Sequence, residues 1–200
     1  ARHPSYFTRV TERAERYLHF IVEEAERRDM PLELVMLPVV ESAFDPFAYS
    51  HGRAAGPWQF IPSTGKYFGL DQTWWYDGRR DITRSTRAAL DYLQQLSERF
   101  DGDWLLALAS YNAGGGTVSR ARRRNEEAGR PTDFWHLDLP RETTAYVPKL
   151  LAVAEIVRDP RRYGVTLHPM ADQPYFEAVD VGGQIDLAQA ASLAEISTEE

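Results

Sequence analysis

Glu41 ends an apolar stretch and is the first candidate for chemistry in this sequence. The seven residues before it, 34–40, are Leu, Val, Met, Leu, Pro, Val and Val, so we expect the segment leading to it to be largely buried. Burial raises the pKa of a carboxyl group, because the charged form loses its hydration. A glutamic acid that stays protonated near neutral pH can donate a proton to a leaving oxygen, as glycoside cleavage requires. A glutamate that merely ends a helix and faces solvent is the alternative for this residue alone.

The residues that follow Glu41 add polar and aromatic groups that could contact a substrate. Ser50 lies nine residues further on, and Gln59 and Phe60 follow a glycine-containing turn. The whole segment 45–81 is irregular and rich in Pro, Gly and aromatic residues, and a loop region of this length inside a compact domain is usually functional. Aromatic side chains pack well on the flat C–H faces of sugars. The alternative is that at least half of these aromatic residues fill the core beneath the loop.

A second carboxylate is the usual partner of the first in glycosidases. Asp45 lies four residues after Glu41, but Pro46 follows it, and we predict a local capping role for Asp45. If no second carboxylate takes part, Glu41 must act first as the proton donor and then as the proton acceptor.

The sequence gives no support for a metal site, a catalytic thiol or a catalytic triad. The five histidines are scattered without ligand spacing, and cysteine is absent. We predict that His51 is a solvent-facing loop residue. Ser50 and His51 are adjacent and lack a nucleophile-elbow pattern, so a catalytic triad is not expected. We predict no metal site and no cofactor.

Helical periodicity dominates the chain and predicts a mainly α fold, with a long aromatic-rich loop region. An amphipathic helix is predicted over 11–28, and a second helix runs from Pro31 to Glu41 with a kink at Pro38. Further helices are predicted to begin at 61–65, to run from the capping residues 81–86 to Phe100, to span 104–112 and 117–128, and to run from 140 to Val157.

Three more candidate residues lie on these helices. The helix 104–112 is apolar on nearly every face, so we place it in the middle of the domain, with Tyr111 and Asn112 at its glycine-rich end. These glycines have neither P-loop nor dinucleotide spacing. Tyr146 heads the buried stripe of the last helix, where an ordinary core tyrosine is the alternative.

Length and composition allow one globular domain with a small appendage. The chain has 200 residues, of which 43% are hydrophobic. We predict a catalytic domain over 1–165 and an appendage over 166–200, with a strand at Tyr175–Val181 and a helix at Asp186–Ile196. The net charge of −7 argues against nucleic-acid binding, and the basic run 120–124 is predicted to be a solvated helix face.

No apolar run approaches the roughly 20 residues that a membrane span needs. The chain opens at Ala1-Arg-His-Pro without an initiator Met or a signal-type segment. We therefore expect a processed piece of a longer protein, with any membrane attachment outside it.

Four separated stretches stand out: Glu41-Ser-Ala-Phe-Asp-Pro46, Ala55-Gly-Pro-Trp-Gln-Phe60, Ala109-Ser-Tyr-Asn-Ala-Gly114 and Glu142-Thr-Thr-Ala-Tyr-Val-Pro-Lys149. In this order they resemble the motifs of the goose-type-lysozyme-like lytic transglycosylases (SLT domain, glycoside hydrolase family 23). The resemblance implies a lysozyme-like helical domain over 1–165. LysM repeats accompany this family, so residues 166–200 are expected to be a truncated LysM-like module, with a strap on the catalytic domain as the alternative.

The resemblance assigns roles to individual residues. Glu41 is the single catalytic acid/base, and the Tyr146 hydroxyl holds its carboxyl group. Five residues are expected to bind the substrate: Ser50, Gln59, Phe60, Tyr111 and Asn112. Many relatives read Gly-Leu-Met-Gln where this chain reads Gly56-Pro-Trp-Gln59, a change that we expect to alter the cleft wall.

The implied reaction is cleavage of the β-1,4 bond between N-acetylmuramic acid and N-acetylglucosamine in peptidoglycan, with a 1,6-anhydro product. The substrate's N-acetyl group would replace the second carboxylate. Two alternatives stay open: a lysozyme-type hydrolase and a catalytically silent peptidoglycan-binding protein. The expected partner is the glycan strand and the expected location is the periplasm, with outer-membrane attachment through a segment outside this chain as one option.

Overall fold

The computed structural model describes residues 4–197, which fold into a mainly helical domain, as predicted. The α-helices are α1 (Pro4–Ala14), α2 (Leu18–Glu26), α3 (Leu37–Ser42), α4 (Pro62–Tyr67), α5 (Ile82–Arg99), α6 (Trp104–Ala113), α7 (Gly115–Glu127), α8 (Arg141–Arg158) and α9 (Leu187–Ala194). Short 3-10 helices span Leu32–Met36, Phe134–His136 and Pro160–Tyr163. Over this part of the chain, β-structure is limited to isolated bridges in the loop between α3 and α5.

Helix α6 forms the centre of the domain, as its sequence predicts. It packs against α5, α7 and α8, and residues 106–110 are buried. The Asp103 carboxylate accepts hydrogen bonds from the backbone N–H groups of Leu105 and Leu106, which satisfies two of the free donors at the helix start. The last turn of α6 carries Tyr111 and Asn112, which are both half-buried.

The single helix predicted over 11–28 is wrong. Helix α1 ends at Ala14 and α2 begins at Leu18, with a turn between them in which Tyr17 N–H donates to the Ala14 carbonyl. Ala14 and Ile21 are nevertheless both buried. Helical periodicity indicates which residues face the core. Two helices joined by a turn can bury the same residues as one continuous helix, so the pattern does not reveal the break.

The kinked helix predicted from Pro31 to Glu41 is also wrong. Leu32–Met36 is a 3-10 helix that follows Pro31, and α3 begins separately at Leu37. Pro38 lies in the first turn of α3, where a backbone N–H has no helical partner and its absence costs nothing. The proline therefore starts the short helix that carries Glu41.

The strand predicted at Tyr175–Val181 is wrong, because this segment has no regular structure and no neighbouring strand to pair with among residues 4–197. The predicted helix that follows it is confirmed as α9, capped by Asp186. The last residues of the predicted appendage, 198–200, lie outside the described residues.

The first part of the appendage is hydrogen-bonded to α1. The His168 N–H donates to Thr11 Oγ1 at 2.7 Å, and Thr8 Oγ1 donates to the Thr166 carbonyl at 2.9 Å. Phe176, Val179, Val181 and Leu187 are exposed, and the choice between a truncated module and a strap for residues 166–200 stays a prediction. The domain division at residue 165 stays a prediction. No helix within residues 4–197 has the length and apolar character to cross a membrane.

Candidate active site

Glu41 lies in a cleft of ≈ 460 Å³ that is built from five helices and the loop after α3. The lining residues are Glu41, Ser50, Ala54, Gln59, Phe60, Ile61, Thr64, Tyr92, Tyr111, Asn112, Ala113, Gly114 and Glu142. All five predicted substrate-binding residues are among them. The structure thus brings together side chains that are up to 101 residues apart in the sequence (Glu41 to Glu142), and their roles in binding remain predictions.

The end of α3 holds Glu41 at the cleft. Ala43 and Phe44 both adopt left-handed backbone conformations, with φ of 54° and 57°, and their N–H groups return to carbonyls of α3. Such a pair of non-glycine residues reverses the chain immediately after the helix at some cost in free energy. Phe44 compensates by burying its ring in the core. The Ser42 hydroxyl lies 3.0 Å from the Pro57 carbonyl, which ties α3 to the loop that carries Gln59.

Burial raises the pKa of Glu41 from 4.5 to about 7. Three neighbours modify this effect: the Tyr146 hydrogen bond and the charge of Lys149 lower the pKa, and the charge of Glu142 raises it. The carboxyl group therefore exists in both protonation states near neutral pH. A group with this pKa can both donate and accept a proton during one reaction cycle.

Tyr146 lies beneath the cleft on α8 and donates its hydroxyl hydrogen to Glu41 Oε1. The tyrosine is buried, and burial together with the Glu41 charge raises its own pKa well above the ordinary value. It therefore stays protonated and remains a donor throughout the neutral range. This geometry supports the role that the sequence resemblance assigns to it.

We predict that Tyr146→Phe lowers the rate of substrate cleavage about ten- to hundredfold, the usual value of a hydrogen bond to a charged group. The variant removes a donor that stabilises the carboxylate, so the pKa of Glu41 should rise above about 7. The alkaline limb of the pH–rate profile should then move to higher pH. Tyr163→Phe, the same change in the 3-10 helix that follows α8, serves as the control. An unchanged alkaline limb in Tyr146→Phe would contradict the assigned contact.

The loop that carries Gln59 has a strained, well-anchored backbone. Gln59 itself adopts a left-handed conformation with φ of 49°, and its side-chain amide donates to the Gly56 carbonyl at 2.8 Å. A Cβ atom at Gly56 would lie 1.8 Å from the Arg79 carbonyl oxygen, so only glycine fits there. The Ser50 hydroxyl accepts the Ala54 N–H at 3.0 Å and closes the preceding turn.

Arg79 anchors this loop from behind and was not identified by sequence. Its buried guanidinium donates to the carbonyls of Arg53 at 2.7 Å and Phe60 at 3.1 Å. It also forms two hydrogen bonds with Asp77, whose pKa is lowered chiefly by this contact. Arginine is the commonest basic residue in this chain, and nothing in its neighbours along the sequence distinguishes Arg79.

Trp58 belongs to the core and not to the cleft wall, where the Pro57-Trp58 substitution was expected to act. Its indole is fully buried, and Nε1–H donates to Thr86 Oγ1 at 3.0 Å. Its carbonyl accepts the Tyr111 hydroxyl at 2.8 Å. The tryptophan therefore connects the Gln59 loop to α5 and α6.

Asn112 is oriented by two residues of α8. Thr143 Oγ1 donates to Asn112 Oδ1 at 2.8 Å, and Asn112 Nδ2 lies 3.5 Å from Glu142 Oε1. Glu142 is thus a second carboxylate in the cleft, where sequence reasoning had considered Asp45. The sequence signal that could have identified Glu142 is its position at the start of the fourth motif. Tyr92 and Thr64 also line the cleft and were missed, because neither lies in one of the motifs.

Asp45 and His51 lie where the sequence predicts. The Asp45 carboxylate accepts the Phe47 N–H at 2.9 Å in a local turn and is not part of the cleft lining, and His51 is exposed. Within residues 4–197, no three His, Asp or Glu side chains lie together in a way that could hold a metal ion.

The aromatic residues of 45–81 are mostly outside the core, contrary to the alternative that at least half of them fill it. Trp58 and Phe60 are buried. The strongly exposed members are Phe47, Tyr49, Tyr67, Trp74 and Trp75.

Comparison with known proteins places the cleft in a family context. The family model of the transglycosylase SLT domain matches residues 19–134. Membrane-bound lytic murein transglycosylase D of Escherichia coli (strain K12) is 49% identical over 196 residues, which are 98% of this chain and 43% of that protein. Membrane-bound lytic murein transglycosylase F of Desulfosudis oleivorans is 30% identical over 137 residues, 65% of this chain and 29% of that protein.

Solved structures show the same fold. The 70 kDa soluble lytic transglycosylase Slt70 of Escherichia coli aligns with a TM-score of 0.53 at 24% identity, over 72% of this chain and 24% of that one. Lytic transglycosylase Slt of Pseudomonas aeruginosa aligns with a TM-score of 0.53 at 24% identity, over 78% of this chain and 25% of that one.

Proposed function

The chain belongs to the transglycosylase SLT domain family, and we propose that it is a lytic transglycosylase that cleaves the glycan strands of peptidoglycan. The observation that carries the proposal is the carboxyl group of Glu41, which lies in a cleft, has a pKa raised to about 7 and accepts a hydrogen bond from Tyr146. The chain spans 43% of the length of its Escherichia coli relative, so the activity is proposed for this segment.

The proposed reaction breaks the β-1,4 bond between N-acetylmuramic acid and N-acetylglucosamine. Protonated Glu41 first donates its proton to the glycosidic oxygen as the bond to C1 breaks. The resulting carboxylate then takes a proton from the 6-hydroxyl group of the same muramic acid, and O6 bonds to C1. The product is a 1,6-anhydro sugar, no water is consumed, and Glu41 returns to its protonated state. A pKa near 7 suits both steps.

The cleft residues support this reaction by holding the sugar. Phe60 is buried and packs behind the cleft wall next to Gln59, and the Asn112 amide is oriented by its contacts to α8. We propose that the N-acetyl group lies near Ser50, Tyr111 and Asn112 and stabilises the positive charge that develops at C1. It would thereby replace the second carboxylate of ordinary glycosidases.

The proposed substrate determines the proposed location. Peptidoglycan lies outside the cytoplasmic membrane, so we place the protein in the periplasm, with outer-membrane attachment through a segment outside this chain as an option. The basic run 120–124 lies on α7, where Arg122 forms an ion pair with Asp101 at 2.9 Å and Arg123 pairs with Glu127. These pairs support a solvated helix face and not a nucleic-acid site.

Glu142 gives the hydrolase alternative a specific basis, because a second carboxylate in the cleft could activate a water molecule. The product distinguishes the two reactions. We predict that mass spectrometry of the fragments released from purified peptidoglycan will show 1,6-anhydro ends, one water lighter than hydrolytic ends. Reducing ends that disappear in Glu142→Gln would establish the hydrolase instead. Absence of fragments would indicate a binding protein.

A further inference from the structure

Two adjacent tryptophans outside the cleft are almost completely exposed. Trp74 is 86% exposed and Trp75 is 76% exposed. Their ring centroids are 4.5 Å apart with an interplanar angle of 47°. Exposed indoles contribute little to folding, and tryptophan is one of the residues that most often dominate binding surfaces. The pair therefore requires an explanation other than stability.

The turn that carries the pair, residues 72–77, is held rigidly. Thr73 N–H donates to the Tyr76 carbonyl at 2.7 Å, and Tyr76 N–H donates to Thr73 Oγ1 at 3.0 Å. Gln72 pairs with Asp77 across the turn, and the Gln72 side-chain amide donates to the Pro62 carbonyl of α4 at 3.0 Å. A fixed backbone lowers the entropic cost of binding, because the ligand does not have to order the turn.

The turn is connected to the cleft on two sides. Helix α4 contributes Thr64 to the cleft, and on its other side Pro62 and Ser63 line a groove of ≈ 490 Å³ that is completed by Thr73 of the turn. At the end of the turn, Asp77 holds Arg79, which donates to the Phe60 carbonyl in the cleft wall.

The groove ends at Thr73, the residue before the tryptophans, and its polar lining suits a sugar. Its lining includes the polar side chains of Ser63, Lys66, Asp71, Gln72 and Thr73, which can exchange hydrogen bonds with hydroxyl and amide groups. The indoles add flat apolar surfaces for the C–H faces of sugar rings. Aromatic faces combined with convergent polar groups suit a carbohydrate.

We propose that Trp74 and Trp75 form an accessory platform that binds peptidoglycan glycan outside the catalytic cleft. This inference rests on the proposed function, because it assumes that the cleft acts on the same polymer. The platform would increase the residence time of the protein on the wall without contacting the bond that is cleaved. A second copy of this chain is the less suitable occupant, since the net charge of −7 opposes self-association.

The test measures co-sedimentation with purified peptidoglycan sacculi in a Glu41→Gln background, in which binding is separated from cleavage. We expect Trp74→Ala/Trp75→Ala to weaken binding about tenfold or more, as removal of a tryptophan hot spot does. Trp74→Tyr/Trp75→Tyr should restore most of the affinity, because it retains aromatic faces. Trp135→Ala is the matched control, since this tryptophan is 60% exposed and does not line the cleft.

The outcomes separate this inference from the proposed function. If Glu41→Gln binds sacculi and the double alanine variant binds equally well, the accessory platform is refuted and the proposed function stands. If wild type releases no fragments and Glu41→Gln does not bind, the proposed function itself fails. A dimer that sedimentation velocity detects in Glu41→Gln and that is lost in the double alanine variant, with unchanged binding to sacculi, would overturn the platform in favour of self-association.

Discussion

Glu41→Gln should lower the release of soluble peptidoglycan fragments by about 10² to 10⁴-fold, the contribution typical of a general acid–base group. Glutamine can still accept the Tyr146 hydrogen bond through its side-chain carbonyl, so the cleft should keep its shape. It cannot donate an acidic proton to the glycosidic oxygen or take one from the 6-hydroxyl group. Both steps of the proposed reaction are therefore lost through one isosteric change.

The measurement is fragment release from sacculi, followed by absorbance and mass spectrometry. Glu98→Gln makes the same change at an exposed position of α5 and should leave activity unchanged. Residual activity of Glu41→Gln within a few fold of wild type would remove Glu41 from the mechanism.

The same variant should also change how stability depends on pH. The pKa of Glu41 is raised from 4.5 to about 7 in the folded protein. Between these values the folded state holds a proton that the unfolded chain has released, so rising pH lowers the free energy of unfolding. Glutamine has no such proton. Urea unfolding should therefore show Glu41→Gln to be more stable than wild type at about pH 8, with the difference disappearing near pH 4.5.

Trp58→Ala should lower the free energy of unfolding by about 3–5 kcal/mol, the usual cost of truncating a fully buried tryptophan. The indole is fully buried among core residues, and its truncation would leave a cavity and remove the partner of Thr86 Oγ1. The loss should also reach the cleft, because the Trp58 backbone positions Gln59 and accepts the Tyr111 hydroxyl. Urea unfolding gives the stability, and fragment release at low temperature gives the activity of the folded fraction.

Two further variants separate packing from hydrogen bonding at this site. Trp58→Phe keeps most of the apolar contact and loses the hydrogen bond to Thr86, so we expect a cost of about 1–2 kcal/mol. Trp74→Ala removes an exposed indole and should change stability by less than about 0.5 kcal/mol. Equal effects of Trp58→Ala and Trp74→Ala would contradict the assignment of Trp58 to the core.

The helices and the special character of Glu41 could be predicted because their signals are local. Apolar residues recur at helical spacing, and capping residues such as Asp81 and Asp103 stand directly before α5 and α6. The apolar residues 34–40 indicate that Glu41 ends a buried segment, and burial is the largest cause of its raised pKa. The four motifs indicated the family because their order along the chain is itself informative.

The breaks between elements could not be predicted in the same way. The turn between α1 and α2 and the start of α3 at Leu37 leave the pattern of buried residues unchanged. The strand expected at Tyr175–Val181 had suitable residues but no partner strand, and a strand is stable only when another strand satisfies its backbone groups.

The contacts that shape the site connect residues far apart in sequence, and here the tertiary structure decided. Trp58 and Trp74 lie in the same aromatic-rich loop region, yet one is buried against Thr86 and the other is exposed. The sequence does not distinguish Arg79 from the other arginines. Only the tertiary structure shows that its guanidinium donates to the Phe60 carbonyl. Local sequence was sufficient for the mainly helical character, the family motifs and the buried segment before Glu41, because each depends on neighbours within a few turns. Which aromatic residues enter the core, and which side chains meet Glu41, depends on long-range packing that sequence spacing does not encode.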